Sequence, residues 1–151
     1  MAWRRALLTA AGLLAFVYAA ACVDVVLRAR SAYLEGEKWL SWSEHPELKK
    51  AHFDAEFDAR RAALDRDLAS GVLSRAGYDE RLLLARFERD RAESDSSLEH
   101  AAVWFESAAT LFSRPQSRWS VRARVLLAET RGRLRSERTA QGLPSDDGGL
   151  P

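Results

Sequence analysis

Apolar residues follow two different regimes along this chain. From Ala6 to Val23 they run without a charge (ALLTAAGLLAFVYAAACV), and after a single acid, Asp24, the run resumes as Val25, Val26 and Leu27. About 22 helical residues at ~1.5 Å each span roughly 33 Å, the thickness of a bilayer's hydrocarbon layer. A helix that is apolar on every side suits lipid better than the surface of a soluble domain. The pattern predicts a short basic head at residues 1–5, carrying Arg4 and Arg5, a transmembrane anchor at 6–27 and a juxtamembrane helix at 28–45.

Beyond residue 45 the spacing becomes helical and interrupted. Pro46 suits a first helical turn and Glu47 its dipole, so a helix is predicted from there to about Ser70, with Gly71 as its stop. Phe53, Phe57, Leu64 and Leu68 share one face, while Leu48, Ala51, Ala55, Ala59 and Ala62 fall opposite. Two apolar faces predict a helix sandwiched between neighbours, as in a stacked solenoid or bundle. A third helix, after Ser74 or Gly77, covers Tyr78 to about Ala92 with Leu82, Leu83, Leu84 and Phe87.

Ser94 to Ser97 supply caps for a fourth helix. Its stripe of Leu98, Ala101, Ala102, Phe105, Ala108, Ala109 and Phe112 reads as a packing face whose small residues permit close helix approach. After Arg114-Pro115 a fifth helix buries Trp119, Ala123, Leu126, Leu127 and Leu134. The sequence thus predicts an all-α fold: an N-terminal membrane helix, then a compact bundle of about five helices with its main domain at 46–140. Residues 141–151 (QGLPSDDGGLP) read as a disordered tail.

Composition sharpens this picture. The chain has no Ile and little Val outside the anchor, which argues against sheet. Net charge is +1, so bulk charge does not point to nucleic acid. Cys22 is the only cysteine, which excludes an intrachain disulfide or a Cys-based zinc site. Cys22 follows Ala19-Ala20-Ala21, so two alternatives to an uncleaved anchor are a cleaved signal peptide and a lipoprotein acylated at Cys22. Asp24 reads as an acid at the end of the membrane helix beside Arg28 and Arg30. The flanking charges lean towards a single-pass topology with a cytoplasmic N-terminus and an extracytoplasmic helical domain.

Candidate chemistry is sparse. His45, Glu47, His52, Asp54, Glu56 and Asp58 are metal-friendly by composition, but only His52 and Glu56 stand at ligand-like i,i+4 spacing. With Lys and Arg interleaved, a solvated charged face accounts for them, and no metal site or cofactor is predicted. No nucleophile elbow, phosphate loop or dinucleotide-binding glycine pattern occurs, so no catalytic residue and no small-molecule substrate are predicted. Eight arginines stand against two glutamates from Arg114 to Arg138, and Arg124, Arg131, Arg135 and Arg138 lie along one flank of the fifth helix. No aromatic interleaves them, which turns the reading away from nucleic acid and towards an acidic partner, lipid headgroups or plain solvation. Trp104 and Leu111 fall outside the packing stripe of the fourth helix and, with Phe112 and the arginine flank, form the candidate partner surface.

Two family resemblances follow from particular residues. Leu64, Leu68, Gly71, Leu73, Ser74, Tyr78, Asp79 and Arg81, within residues 64–83 (LDRDLASGVLSRAGYDERLL), resemble the helical hairpin of CcmI-type cytochrome c assembly proteins and SHOCT-like hairpins. Ala101, Phe105 and Ala108 are similar to the second helix of a tetratricopeptide (TPR) repeat, although no 34-residue repeat runs through the chain. These likenesses imply a TPR-like, solenoid bundle and a membrane-anchored holder of a client peptide. The expectation is a scaffold or adaptor in the bilayer, binding a protein or peptide partner through its helices. The alternatives are a structural accessory subunit of a membrane complex, packed through Gly12 and the alanine-rich anchor, or the Cys22 lipoprotein.

Overall fold

The computed structural model describes residues 2–142; Met1 and the expected tail from residue 143 onward lie outside them. Every regular element among the described residues is helical: α1 (Ala2–Glu44), α2 (Pro46–Ala69), α3 (Arg75–Ser94), α4 (Ser97–Glu106), a π-helical turn (Ser107–Leu111) and α5 (Arg118–Ala140). The expected anchor and juxtamembrane helices are one uninterrupted helix. Nothing between Leu27 and Ser43 breaks helical hydrogen bonding. The first obstacle is Pro46, which pushes His45 out of the helical region (φ −131°, ψ 73°) and occupies the first turn of α2. Part of α1 is long and apolar enough to cross a membrane, with a mean hydropathy of 2.2 over its most apolar window.

The described residues form two compact units, residues up to Leu40 with those from Leu98 onward, and residues 41–97. The first has a core in which the second half of α1, α4 with its π turn, and α5 meet. Ala32, Tyr33, Ala101, Phe105, Ala108, Ala109, Ala123 and Leu127 are buried in it, and Trp39, Leu40, Phe112, Trp119 and Leu126 pack against them. Alanines on all three helices let the backbones approach closely. The Phe105 ring lies over Gly36, where a Cβ would meet two ring carbons at 2.6 Å. Tyr33 packs on both Phe105 and Trp119, and Trp39 stacks on His100 with ring centroids 4.2 Å apart. α5 opens with a reciprocal cap, in which the Ser120 amide donates to Ser117 Oγ and the Ser117 amide to Ser120 Oγ.

Two buried polar residues of α5, Ser120 and Thr130, lie inside this core, where the apolar spacing did not place them. Ser120 is engaged in the cap. The Thr130 hydroxyl has no hydrogen-bond partner. A buried unpaired hydroxyl costs about 1–3 kcal/mol, whereas a valine of the same shape leaves nothing unsatisfied. Thr130→Val is therefore expected to leave stability unchanged or raise it by up to ~1 kcal/mol. A loss of the midpoint of urea unfolding in mild detergent would mean that the hydroxyl has a partner in solution.

The second unit is the α2–α3 hairpin with the end of α1. Gly71 turns the chain at φ +77°, a conformation in which a side chain is strained, and its amide donates to the Leu68 carbonyl. Ser74 caps α3 by accepting from the Gly77 amide, so this helix begins three residues earlier than the spacing suggests, with Gly77 inside its first turn. Trp42 is buried against Phe53 and His52. Tyr78 reaches across the hairpin to donate to Asp65 at 2.7 Å; that bond, then burial, raises the pKa of its phenol.

The sandwich expected for α2 does not form. Phe53, Phe57, Leu64 and Leu68 face α3 and are buried or half-buried, while Leu48, Ala51, Ala55, Ala59 and Ala62 are exposed. Alanine at those positions reflects helix propensity rather than a second contact face.

Lys49 is the one buried lysine among the described residues. Its ammonium donates to the carbonyls of Glu93 at 2.8 Å and Asp95 at 2.5 Å, satisfying acceptors at the C-terminal end of α3 and opposing its dipole. Lys49→Met is expected to cost about 1–3 kcal/mol, because both carbonyls lose their charged donor. Burial pushes the Lys49 pKa down, against the pull of Asp95 and Glu93. The unfolded chain therefore holds this proton more tightly, and the contribution of Lys49 grows as pH rises towards 10.5. Urea unfolding of both proteins across that range should show the gap widening; a constant gap would contradict the desolvated ammonium.

Candidate functional site

In the α2–α3 hairpin the inner surfaces are consumed by the fold. Tyr78 and Ala85 are buried, Leu82 is half-buried, and Arg89 lies over the Phe57 ring at 5.0 Å while pairing with Asp90 and Asp54. Lys50 donates to Asp54 at 2.8 Å and thereby lowers the pKa of that carboxyl below its ordinary value. A shallow hollow of about 390 Å³ remains between the helices, over Phe53, Phe57 and Ala85, with the Arg60–Glu88 ion pair at its rim.

The outer side of α3 is different. Leu83 is 71% exposed, Leu84 54% and Phe87 63%. With Glu80, Arg86 and Asp90 they line an open, mostly apolar hollow of about 560 Å³. Three large apolar side chains within five residues of one helix make a contiguous patch, unlike the isolated exposed leucines that any surface carries. Sequence spacing assigned these residues to the third helix without a face. A signal for their exposure was present: the three consecutive leucines from Leu82 sweep about 200° of a helix, and a single neighbouring helix cannot cover them all.

The surface expected on the other unit is only partly brought together. Trp104 and Leu111 are exposed, Leu111 at 75%, but Phe112 packs against the core and is not available in the same way. Two of the four flank arginines are already engaged: Arg131 bonds Glu106 and Arg138 bonds Glu99, each at 2.9 Å. Those pairs lie between α5 and α4, so this end of the flank ties helices together. Arg124 and Arg135 remain exposed to solvent. The π turn places Leu111 outward; the Phe112 amide donates to the Ser107 carbonyl, and Ser107 and Thr110 return their hydroxyls to carbonyls four residues back.

Among the described residues no three His, Cys, Asp or Glu side chains gather as a metal site. His45 meets Glu47 at 3.2 Å and His52 meets Glu56 at 3.3 Å, as separate exposed pairs. His100 is engaged by Trp39, and Cys22 is a half-buried thiol within α1. Comparison with protein-family models, with curated proteins and with solved structures finds no match for this chain.

Proposed function

We propose that this chain is a membrane-anchored helical docking protein without catalytic activity, which holds a protein or peptide partner on the outer side of α3. The observation that carries this reading is the run of Leu83, Leu84 and Phe87, exposed on a hairpin whose inner surfaces are closed by Tyr78–Asp65, Lys49 and the Arg89 contacts. Large apolar side chains left in water on one rigid helix face suit an amphipathic helix or an extended apolar segment. Glu80, Arg86 and Asp90 border them with charges of both signs that can set register.

The anchor supplies location, and the hairpin supplies recognition. In this reading the exposed Trp104 and the free arginines of α5 are secondary, since the α4–α5 ion pairs give the other half of that flank a structural task. A structural accessory role through the anchor is the second reading, favoured by the open surface at Gly12, where a Cβ would meet nothing within 4 Å.

Co-purification of the full chain from native membranes in mild detergent separates the two. A stoichiometric companion that is lost with Leu83→Asp but kept with Gly12→Leu supports docking on α3. The reverse pattern would place the partner on the anchor instead.

A further inference from the structure

The membrane-proximal end of the first unit has a composition and a position that the docking reading leaves unused. Along α1, Trp39 stacks on His100, and Gly36 and Tyr33 meet Phe105. Higher numbers on α4 thus correspond to lower numbers on α1, so α4 descends towards the apolar run. Leu111 lies six residues beyond Phe105, about 9 Å further down at helical rise, which brings it to the level of Arg28 to Arg30. The start of α5 sits at the same end. The Trp119 ring is 5.3 Å from that of Tyr33, with Arg30 at 5.9 Å and Arg118 at 4.5 Å from its centroid.

No spacer separates this end from the predicted membrane segment. The stripe of α1 that faces the bundle continues from Tyr33 and Ala32 to the fully buried Ala29, and then to Val26 and Val25, half-buried within the apolar run. The connection from α4 to α5 therefore lies where lipid headgroups would be. Between Glu106 and Glu129 the chain has no acid and four arginines, Arg114, Arg118, Arg122 and Arg124. On α1, Asp24 is paired with Arg28 at 2.7 Å, so it does not offset Arg30. An exposed leucine, a half-buried tryptophan and a group of arginines at this depth match the apolar, aromatic and cationic layers of a bilayer interface.

We propose that residues 111–119 form a second membrane contact, in which Leu111 enters the acyl boundary, Trp119 lies at headgroup level, and Arg30, Arg114 and Arg118 bind the phosphates of anionic lipids. This rests on the membrane-anchor reading of α1 and is independent of what α3 holds. It fixes the tilt of α1, and of the bundle packed on it, against the bilayer surface. The arginines between Arg114 and Arg138 then have separate tasks: Arg131 and Arg138 of the expected flank hold α4, and Arg114 and Arg118, outside that flank, meet lipid.

The test uses the full chain as Cys22→Ser with Leu111→Cys, carrying an environment-sensitive fluorophore, in phosphatidylcholine vesicles with and without phosphatidylglycerol. The label is expected to be quenched by shallow spin-labelled lipid and shielded from aqueous iodide, more so with phosphatidylglycerol. At ~1 kcal/mol per arginine, each Arg→Gln change at 30, 114 and 118 should shift the contact equilibrium roughly fivefold towards water. A label at 111 open to iodide, while one at Leu13→Cys is quenched by lipid, would overturn the contact and leave the anchor standing. Labels at both positions open to iodide would overturn the anchor itself. A label at 111 shielded from iodide and lipid alike would assign the surface to protein and overturn the lipid assignment. Indifference to phosphatidylglycerol and to the triple Arg→Gln variant would overturn the phosphate contacts.

Discussion

Phe105→Ala should lower the stability of the first unit by about 3–5 kcal/mol, the largest effect expected of any single substitution in the chain. The ring is fully buried and touches Tyr33 and the Gly36 backbone, so its loss opens a cavity between α1 and α4. The same contact predicts that Gly36→Ala is costly in the opposite sense. A methyl group would come within 2.6 Å of two ring carbons, and overpacking of this kind costs about 1–3 kcal/mol. The two changes should not add. With the ring removed, the new methyl group has room, so Gly36→Ala in the Phe105→Ala background should cost little or even recover part of the loss. Urea unfolding of the four proteins in one detergent measures this directly. Additive losses would mean that the ring does not lie over Gly36.

The second large effect concerns binding. Leu83→Ala with Phe87→Ala removes two exposed apolar side chains from the middle of the proposed docking face. If they are its anchors, each truncation costs about 2 kcal/mol or more, and together they weaken the partner by roughly a thousandfold. Because both side chains are more than 60% exposed, the fold itself should change by no more than ~0.5 kcal/mol. That separation between affinity and stability is what a packing role would not produce. The measurement is a titration of the captured partner against wild-type and double-variant protein in the same detergent, beside their unfolding midpoints. Equal affinities would remove the face from consideration, and a large fall in stability would place Leu83 and Phe87 in the core.

How far the sequence discloses this molecule can be judged element by element. The apolar run from Ala6 to Leu27, the stop at Gly71 and the stripe from Leu98 to Phe112 are local patterns, and each is visible in spacing alone, whereas spacing left the cap of α3 open between Ser74 and Gly77. The alanine stripe was readable because one helix meeting two others needs small residues at fixed intervals. Pairings between distant positions were not readable. Nothing in the residues around Lys49 tells that its ammonium closes the end of a helix more than forty residues away. Nothing around Gly36 announces a ring from α4.

The candidate site suffered from the same limit. Exposure of Leu83, Leu84 and Phe87 depends on how many helices surround α3, and the paired apolar faces of α2 suggested more neighbours than it has. Arg131 and Arg138 looked like a ridge for a partner because the acids that engage them, Glu106 and Glu99, lie on another helix.

The most direct test of the docking reading is site-specific photo-crosslinking in native membranes, with the reactive residue placed at Leu84 and, as a control, at Ala55 on the exposed face of α2. One discrete protein adduct is expected from position 84, absent from position 55 and abolished by Leu83→Asp. Adducts of equal yield from both positions, or none from position 84, would contradict it.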